Sequence, residues 1–330
     1  VRLGLDSYSY HYAAGLWEYS PRENQPMTAL HFLRKAAELG LDGVQLCDPR
    51  HLDSLEYGYI TGLKERADAL GLYLELGTGG TNPDHLQTMV RAAHVLGSPL
   101  VRTFVGKPRP RTAEAMAELL KATAAEMAQV LPVCERYGVG LAIENHQDLT
   151  ARELAELLEM IGSEWVGVCF DTGNPLALLE DPVEALEVLA PRVKTAHLKD
   201  YQVVATSEGF ALVGCALGEG VVELTRLLDL LSSGGPKISV NIESAVTKHL
   251  LPALADSYLQ HLPRASAREL GRALRLVRDR GLPHMPRLPT ERGATEAETL
   301  AEEDELVVRS VRWAQRALGR PEVELADSGG

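Results

Sequence analysis

The chain has 330 residues, a formal net charge of −13, 45% hydrophobic and 24% charged residues; this suits a globular protein with a large core, and no apolar run approaches the roughly 20 residues of a membrane-spanning helix. The acidic balance argues against nucleic acid as a partner, because backbone binding needs a basic face to displace counterions. Four cysteines, Cys47, Cys134, Cys169 and Cys215, stand far apart with no C-x-x-C pair, which fits buried thiols in a reducing cytoplasm rather than a disulfide frame or zinc knuckle.

The opening Val1-Arg2-Leu3-Gly4-Leu5-Asp6 reads as a strand rather than a signal peptide, since Asp6 interrupts any apolar segment. An aromatic loop with Tyr8, Tyr10, His11, Tyr12, Trp17 and Tyr19 leads to a helix over 28–39, closed by Gly40. Strand and helix then alternate: strand 43–47, helix 54–70, strand 73–76, helix 84–96, strand 100–105. A long helix follows, with Met116, Leu120, Met127 and Cys134 on one face and Pro132 as a predicted kink. The fifth strand, 139–144, runs from an apolar tract into Glu144-Asn145-His146-Gln147-Asp148. Helix 153–161, strand 166–170, helix 183–189 and strand 193–198 continue the pattern. A glycine-containing stretch with Gly209, Gly214, Gly218 and Gly220 reads as an extended loop before helix 221–231 and strand 238–242.

Eight strand–helix alternations in about 250 residues are the count of an α/β (β/α)8 TIM barrel. Residues 1–250 are therefore expected to form a metal-binding catalytic barrel. Residues 251–330 are expected to form a C-terminal helical extension, rich in Pro and Arg at first, that packs on the barrel or on a partner subunit in a homo-oligomer. Its helices are predicted over 269–277 and 301–318, and the last residues, 326–330, as disordered.

Strand ends of a parallel barrel converge on one face. Four successive ends carry metal-ligating side chains: Glu144, Asp171, His197 and Glu243, spaced by 27, 26 and 46 residues. One carboxylate alone reads as a helix cap or ion-pair partner, and one histidine as a satisfied core residue. Four together are an expensive cluster of buried charge without a cation. Three carboxylates and a neutral imidazole suit one divalent ion, Mn²⁺ foremost, with Mg²⁺, Co²⁺ or Zn²⁺ also compatible.

Around this set, His146 is expected on the same side as Glu144 if extended geometry persists. There it is a general acid/base or a partner of a metal carboxylate. Lys199 is read as holding a substrate oxygen or offsetting the surplus negative charge; Arg102 orients a keto or hydroxyl oxygen or pairs with Glu75 or Glu144. Asn174 is placed in the substrate pocket, and Trp17 is a candidate wall for a sugar face or a simple loop-packing residue. The Gly77-Thr78-Gly79-Gly80 turn lacks a basic cluster, so the expected ligand is an unphosphorylated carbohydrate or cyclic polyol.

Ile143-Glu144-Asn145, Phe170-Asp171-Thr172-Gly173-Asn174, Ala196-His197-Leu198-Lys199-Asp200, Leu217-Gly218-Glu219-Gly220 and Ile242-Glu243 resemble the xylose isomerase-like TIM barrels, the sugar phosphate isomerase/epimerase superfamily that also includes endonuclease IV. The resemblance covers about residues 1–250 and implies that Glu144, Asp171, His197 and Glu243 bind one divalent ion. It implies further that Glu144 and Glu243 exchange a substrate proton, as in ketose 3-epimerases. The chain departs from that pattern in having Asn174 where the epimerases and the nuclease carry histidine, and Val203 where the epimerases carry arginine; Phe210 and Leu212 occupy the stretch where the nuclease has further ligands. The function expected is a metal-dependent sugar or keto-polyol isomerase or epimerase working through an enediolate. The alternatives are a lyase on the same scaffold, cleaving a 3-keto-glycoside or dehydrating by β-elimination, and a non-catalytic carbohydrate-binding subunit.

Overall fold

The structure is a computed structural model that describes residues 1–15, 25–233 and 238–323. Eight parallel strands close into a barrel: β1 (Arg2–Asp6), β2 (Gly43–Leu46), β3 (Tyr73–Gly77), β4 (Leu100–Thr103), β5 (Gly140–Glu144), β6 (Val166–Asp171), β7 (Val193–Leu198) and, after two strands outside the barrel, β10 (Ser239–Ile242), which pairs with both β7 and β1. Between them stand α1 (Ala29–Glu38), α2 (Tyr57–Leu70), α3 (Pro83–Leu96), α4 (Ala113–Ala128), α5 (Leu131–Tyr137), α6 (Ala151–Ile161), α7 (Pro182–Leu189) and α8 (Leu224–Ser233). Caps set their ends: the Thr28, Asn82, Thr112 and Thr150 side chains accept the third-residue N–H of α1, α3, α4 and α6.

Pro132 does more than kink its helix. The chain breaks between α4 and α5, because proline lacks the N–H that would continue the ladder and its ring collides with the carbonyl four residues back. The barrel's N-terminal end is plugged by Tyr73, whose hydroxyl donates to Asn241 Oδ1 at 2.7 Å. Gly4 and Gly43 make room: a Cβ on Gly4 would strike the Tyr73 hydroxyl and Asn241, and one on Gly43 would strike the Tyr73 ring.

The stretch read as an extended loop is instead a hairpin, β8 (Asp200–Thr206) and β9 (Gly209–Cys215), joined by β11 (Lys248–Leu251) in an antiparallel sheet of order β11-β9-β8. Its alternating apolar residues give the reason: Tyr201, Val203, Phe210 and Leu212 are buried in one cluster with Leu251 and Val277, so each strand has a face to cover. After α9 (Asp256–Leu259), α10 (Ala267–Arg280) contributes Val277 to that cluster, and Leu282 N–H donates to Val203 O at 2.8 Å.

The last helix, α11 (Glu296–Ala317), packs on the chain's own barrel. Val307, Val311 and Ala314 are fully buried. Ser310 Oγ pairs with Ser244 Oγ at 2.8 Å, just beyond β10, and Gln315 donates to Leu39 O at 3.0 Å, just beyond α1. Glu303 accepts from the Tyr12 and Ala13 N–H groups, tying the helix to the segment after β1. The four cysteines are free and buried. No helix among the described residues is long and apolar enough to cross a membrane. Trp17 and Tyr19, and the predicted disordered stretch 326–330, lie outside the described residues.

Candidate metal centre and cleft

The polar residues that follow each ligand strand hold the strand ends in place. Asn145 accepts from Asp171 N–H at 2.7 Å and donates to Asp171 O at 3.0 Å, so an amide side chain extends the β5–β6 ladder past its last backbone bond. Thr172 does the same between β6 and β7, donating to Lys199 O and accepting from Lys199 N–H, both at 2.8 Å. Asp171 Oδ1 accepts the Gly173 and Asn174 N–H groups at 2.8 and 2.7 Å. That leaves Oδ2 pointing inward.

One ligand atom each from Glu144, Asp171, His197 and Glu243 lies within 4.8 Å of all the others, and all four residues are buried. His197 Nδ1 stands 2.6 Å from Glu243 Oε2, 3.6 Å from Glu144 Oε2 and 4.0 Å from Asp171 Oδ2. Asp171 Oδ2 makes no hydrogen bond among the described residues, and His197 Nδ1 and Glu243 Oε2 have only each other, in contact at 2.6 Å but outside hydrogen-bond geometry. Buried polar atoms are almost always paired, and acceptor atoms aimed at one point are what a cation satisfies. The donor set fits a divalent ion.

Cations of the chain surround this cluster. Arg102 donates from Nε to Glu144 Oε2 at 2.5 Å, and Asn174 Nδ2 donates to Glu144 Oε1 at 2.9 Å. Lys199 Nζ bonds Glu243 Oε1 and lies 3.3 Å from Asp171 Oδ2. Burial opposes ionisation of Glu243, but Lys199 and then His197 outweigh it and hold the carboxyl well below the usual range. Glu144 is likewise held down against burial, chiefly by Arg102. Asp171 moves the other way: burial, reinforced by Glu243 and Glu144, outweighs Lys199 and raises it.

Above the cluster opens a cleft of about 310 Å³ whose lining includes Arg102, His146, Asn174, Lys199 and Glu243. β5 ends at Glu144, so His146 is not in strand, yet it faces the cleft and its ring stacks on Phe104 with centroids 4.5 Å apart. Tyr8, from the aromatic loop expected to wall the pocket, lines the cleft too, as do Phe104 and His249, which were not singled out from sequence. His249 comes from β11, whose sequence Lys248-His249-Leu250-Leu251 has no apolar alternation to mark it. Burial, then Lys199 and His146, push His249 down to about 4.

The description "xylose isomerase-like TIM barrel" matches residues 33–263. Among curated proteins, a 3-oxo-isoapionate decarboxylase from Pectobacterium atrosepticum is 32% identical over 257 residues, covering 76% of this chain and 86% of that protein. Among solved structures, a D-tagatose 3-epimerase-like protein is similar at a TM-score of 0.57 and 17% identity, over 92% of this chain and 100% of that one. The IOLI protein with a bound zinc atom is similar at 0.56 and 15%, over 84% and 97%. At these identities the two structures share the fold.

Proposed function

The chain belongs to the xylose isomerase-like TIM-barrel family, and from that premise we propose that it is a metal-dependent lyase that decarboxylates a 3-oxo acid of carbohydrate type. The observation that carries the reading is the pairing of Lys199 with Glu243 and of Arg102 with Glu144 at the floor of the cleft. Each of these cations stands beside a metal-ligating carboxylate; once an ion takes up Glu144 and Glu243, Arg102 and Lys199 would be left to meet an anionic substrate, whereas a neutral ketose offers them no charge to pair with. The similarity to a 3-oxo-isoapionate decarboxylase supports the same direction.

Glu144, Asp171, His197 and Glu243 would hold the ion, and Mn²⁺ suits this oxygen-rich set, with Mg²⁺, Co²⁺ and Zn²⁺ as alternatives. When bound, it withdraws electron density from a carbonyl of the substrate. Lys199 and Arg102 hold the carboxylate in the cleft, and Asn174 keeps Glu144 oriented. As the bond to the carboxylate breaks, carbon dioxide leaves and the electron pair moves into the adjacent 3-oxo carbonyl. His146, open to the cleft and steadied by Phe104, supplies the proton that the carbon then takes up.

A second reading, isomerisation or epimerisation, rests on Glu144 and Glu243 standing on β5 and after β10 with β6 and β7 between them, on opposite sides of the cluster. Incubating the Mn²⁺-loaded protein with 3-oxo sugar acids and with ketoses in D₂O separates the two. Released carbon dioxide with one deuterium in the product supports decarboxylation. Deuterium in recovered ketose without carbon dioxide supports epimerisation and removes the first reading.

A further inference from the structure

Below the ligand cluster, the barrel interior holds a second polar layer that the reaction does not use. His197 Nε2 lies 2.8 Å from Gln45 Oε1, and Gln45 Nε2 donates to Glu75 Oε2 at 2.9 Å. The same Glu75 oxygen accepts from Thr195 Oγ1 at 2.8 Å and Asn241 Nδ2 at 3.1 Å. All five side chains come from β2, β3, β7 and β10, and none is more than 1% exposed.

We propose that Gln45, oriented by Glu75, is a positioning residue that fixes the tautomer of His197 so that Nδ1 presents its lone pair to the metal; the inference rests on the metal site proposed above. A carboxylate oxygen taking three donors acts only as an acceptor. Gln45 must therefore turn its NH₂ toward Glu75, since the flipped amide would set carbonyl against carboxylate. Its Oε1 is then forced to face His197 Nε2. An acceptor at Nε2 requires the ring proton there, and a neutral imidazole with N–H at Nε2 carries its lone pair at Nδ1. Nδ1 is the atom that faces Glu243, Glu144 and Asp171. Asp6 Oδ2 is the other acceptor near Nε2, but at 3.6 Å it is beyond hydrogen-bond range. Glu75 thus orders the metal ligand through an amide that can be read in only one direction.

The test uses the full chain and two independent readouts. Long-range ¹H–¹⁵N NMR of the metal-free protein is expected to show a proton on His197 Nε2, whether or not Nδ1 carries one toward Glu243; an Nε2 without a proton overturns the inference. Calorimetric titration with Mn²⁺ is expected to give a dissociation constant about 10- to 100-fold weaker in Glu75→Gln, whose amide no longer dictates the Gln45 orientation. The double variant Gln45→Glu/Glu75→Gln exchanges acid and amide, keeps one charge and keeps an acceptor against Nε2, so its affinity returns to within a few-fold of wild type. Wild-type affinity in Glu75→Gln, or no recovery in a folded double variant, overturns the inference. If Glu75→Gln does not fold, the double variant and the NMR measurement decide. A wild-type protein that binds none of the four divalent ions removes the metal reading instead, and the tautomer is still read directly.

Discussion

The Arg102 guanidinium meets Glu144 inside the barrel, Nε to Oε2 at 2.5 Å, with both side chains almost wholly out of solvent. A buried carboxylate that loses its cation is left as an uncompensated charge. Arg102→Met keeps most of the aliphatic stem and removes the charge. In the metal-free protein we expect a loss of about 3–5 kcal/mol in urea unfolding, partly regained on adding Mn²⁺, which offers Glu144 another positive partner. Unchanged stability without metal would show that Glu144 does not depend on Arg102.

His146 touches the cleft but none of the ligand atoms' hydrogen bonds, so its role separates from metal binding. His146→Asn should lower kcat by about 10²- to 10⁴-fold, the usual worth of a positioned proton donor, with Mn²⁺ affinity unchanged. The split is read by steady-state kinetics beside calorimetry. Wild-type kcat in the variant would remove His146 from the reaction.

His51 gives a stability prediction with a defined sign. Burial pushes its imidazole down to about 4 from 6.5; Nδ1 meets Ser7 Oγ at 2.5 Å and Nε2 has no hydrogen-bond partner among the described residues. The unfolded chain therefore takes a proton at a higher pH than the folded one. Stability from this group is full above about pH 6.5 and is lost as pH falls toward about 4. The loss approaches about 3 kcal/mol, from roughly 1.4 kcal/mol per unit. Urea unfolding of wild type and His51→Gln should converge over that window; a constant difference would refute the assignment.

Removing everything after Gly293 strips α11 and uncovers the barrel under Val307, Val311 and Ala314. Each buried valine contributes roughly 1.5–3 kcal/mol, and the truncation also removes the Glu303 carboxylate that accepts from the Tyr12 and Ala13 N–H groups. The sum rivals the total stability of a typical domain, about 5–15 kcal/mol. The truncated chain should fail to fold by circular dichroism and aggregate by light scattering. A soluble species with the wild-type melting temperature would show α11 to be dispensable.

The barrel was legible because each strand and helix is written in its own neighbours: largely apolar runs of four to six residues, three-and-four spacing, glycine and threonine at the ends. Glu144, Asp171, His197 and Glu243 were legible for the same reason, each standing at the tip of such a run. The hairpin β8–β9 was passed over because Gly209 and Gly214 within it, and Gly218 and Gly220 after it, suggested a loop, while the alternation of Tyr201, Val203, Phe210 and Leu212 carried the truer signal. Gln45 and Glu75 carried no mark of function, since a polar residue in a short strand gains meaning only from what stands across the barrel.

From sequence alone came the fold, the strand tips and the kinds of atom gathered there. Tertiary structure alone decided the partnerships: Arg102 on Glu144 rather than Glu75, Lys199 on Glu243, Gln45 beneath His197, β11 over the cleft and α11 against the barrel. Periodicity and capping act over a few neighbouring residues, so one stretch of chain encodes them. The pairings join positions 42 to 291 residues apart, and strand register and packing select among acceptors that the sequence leaves equivalent.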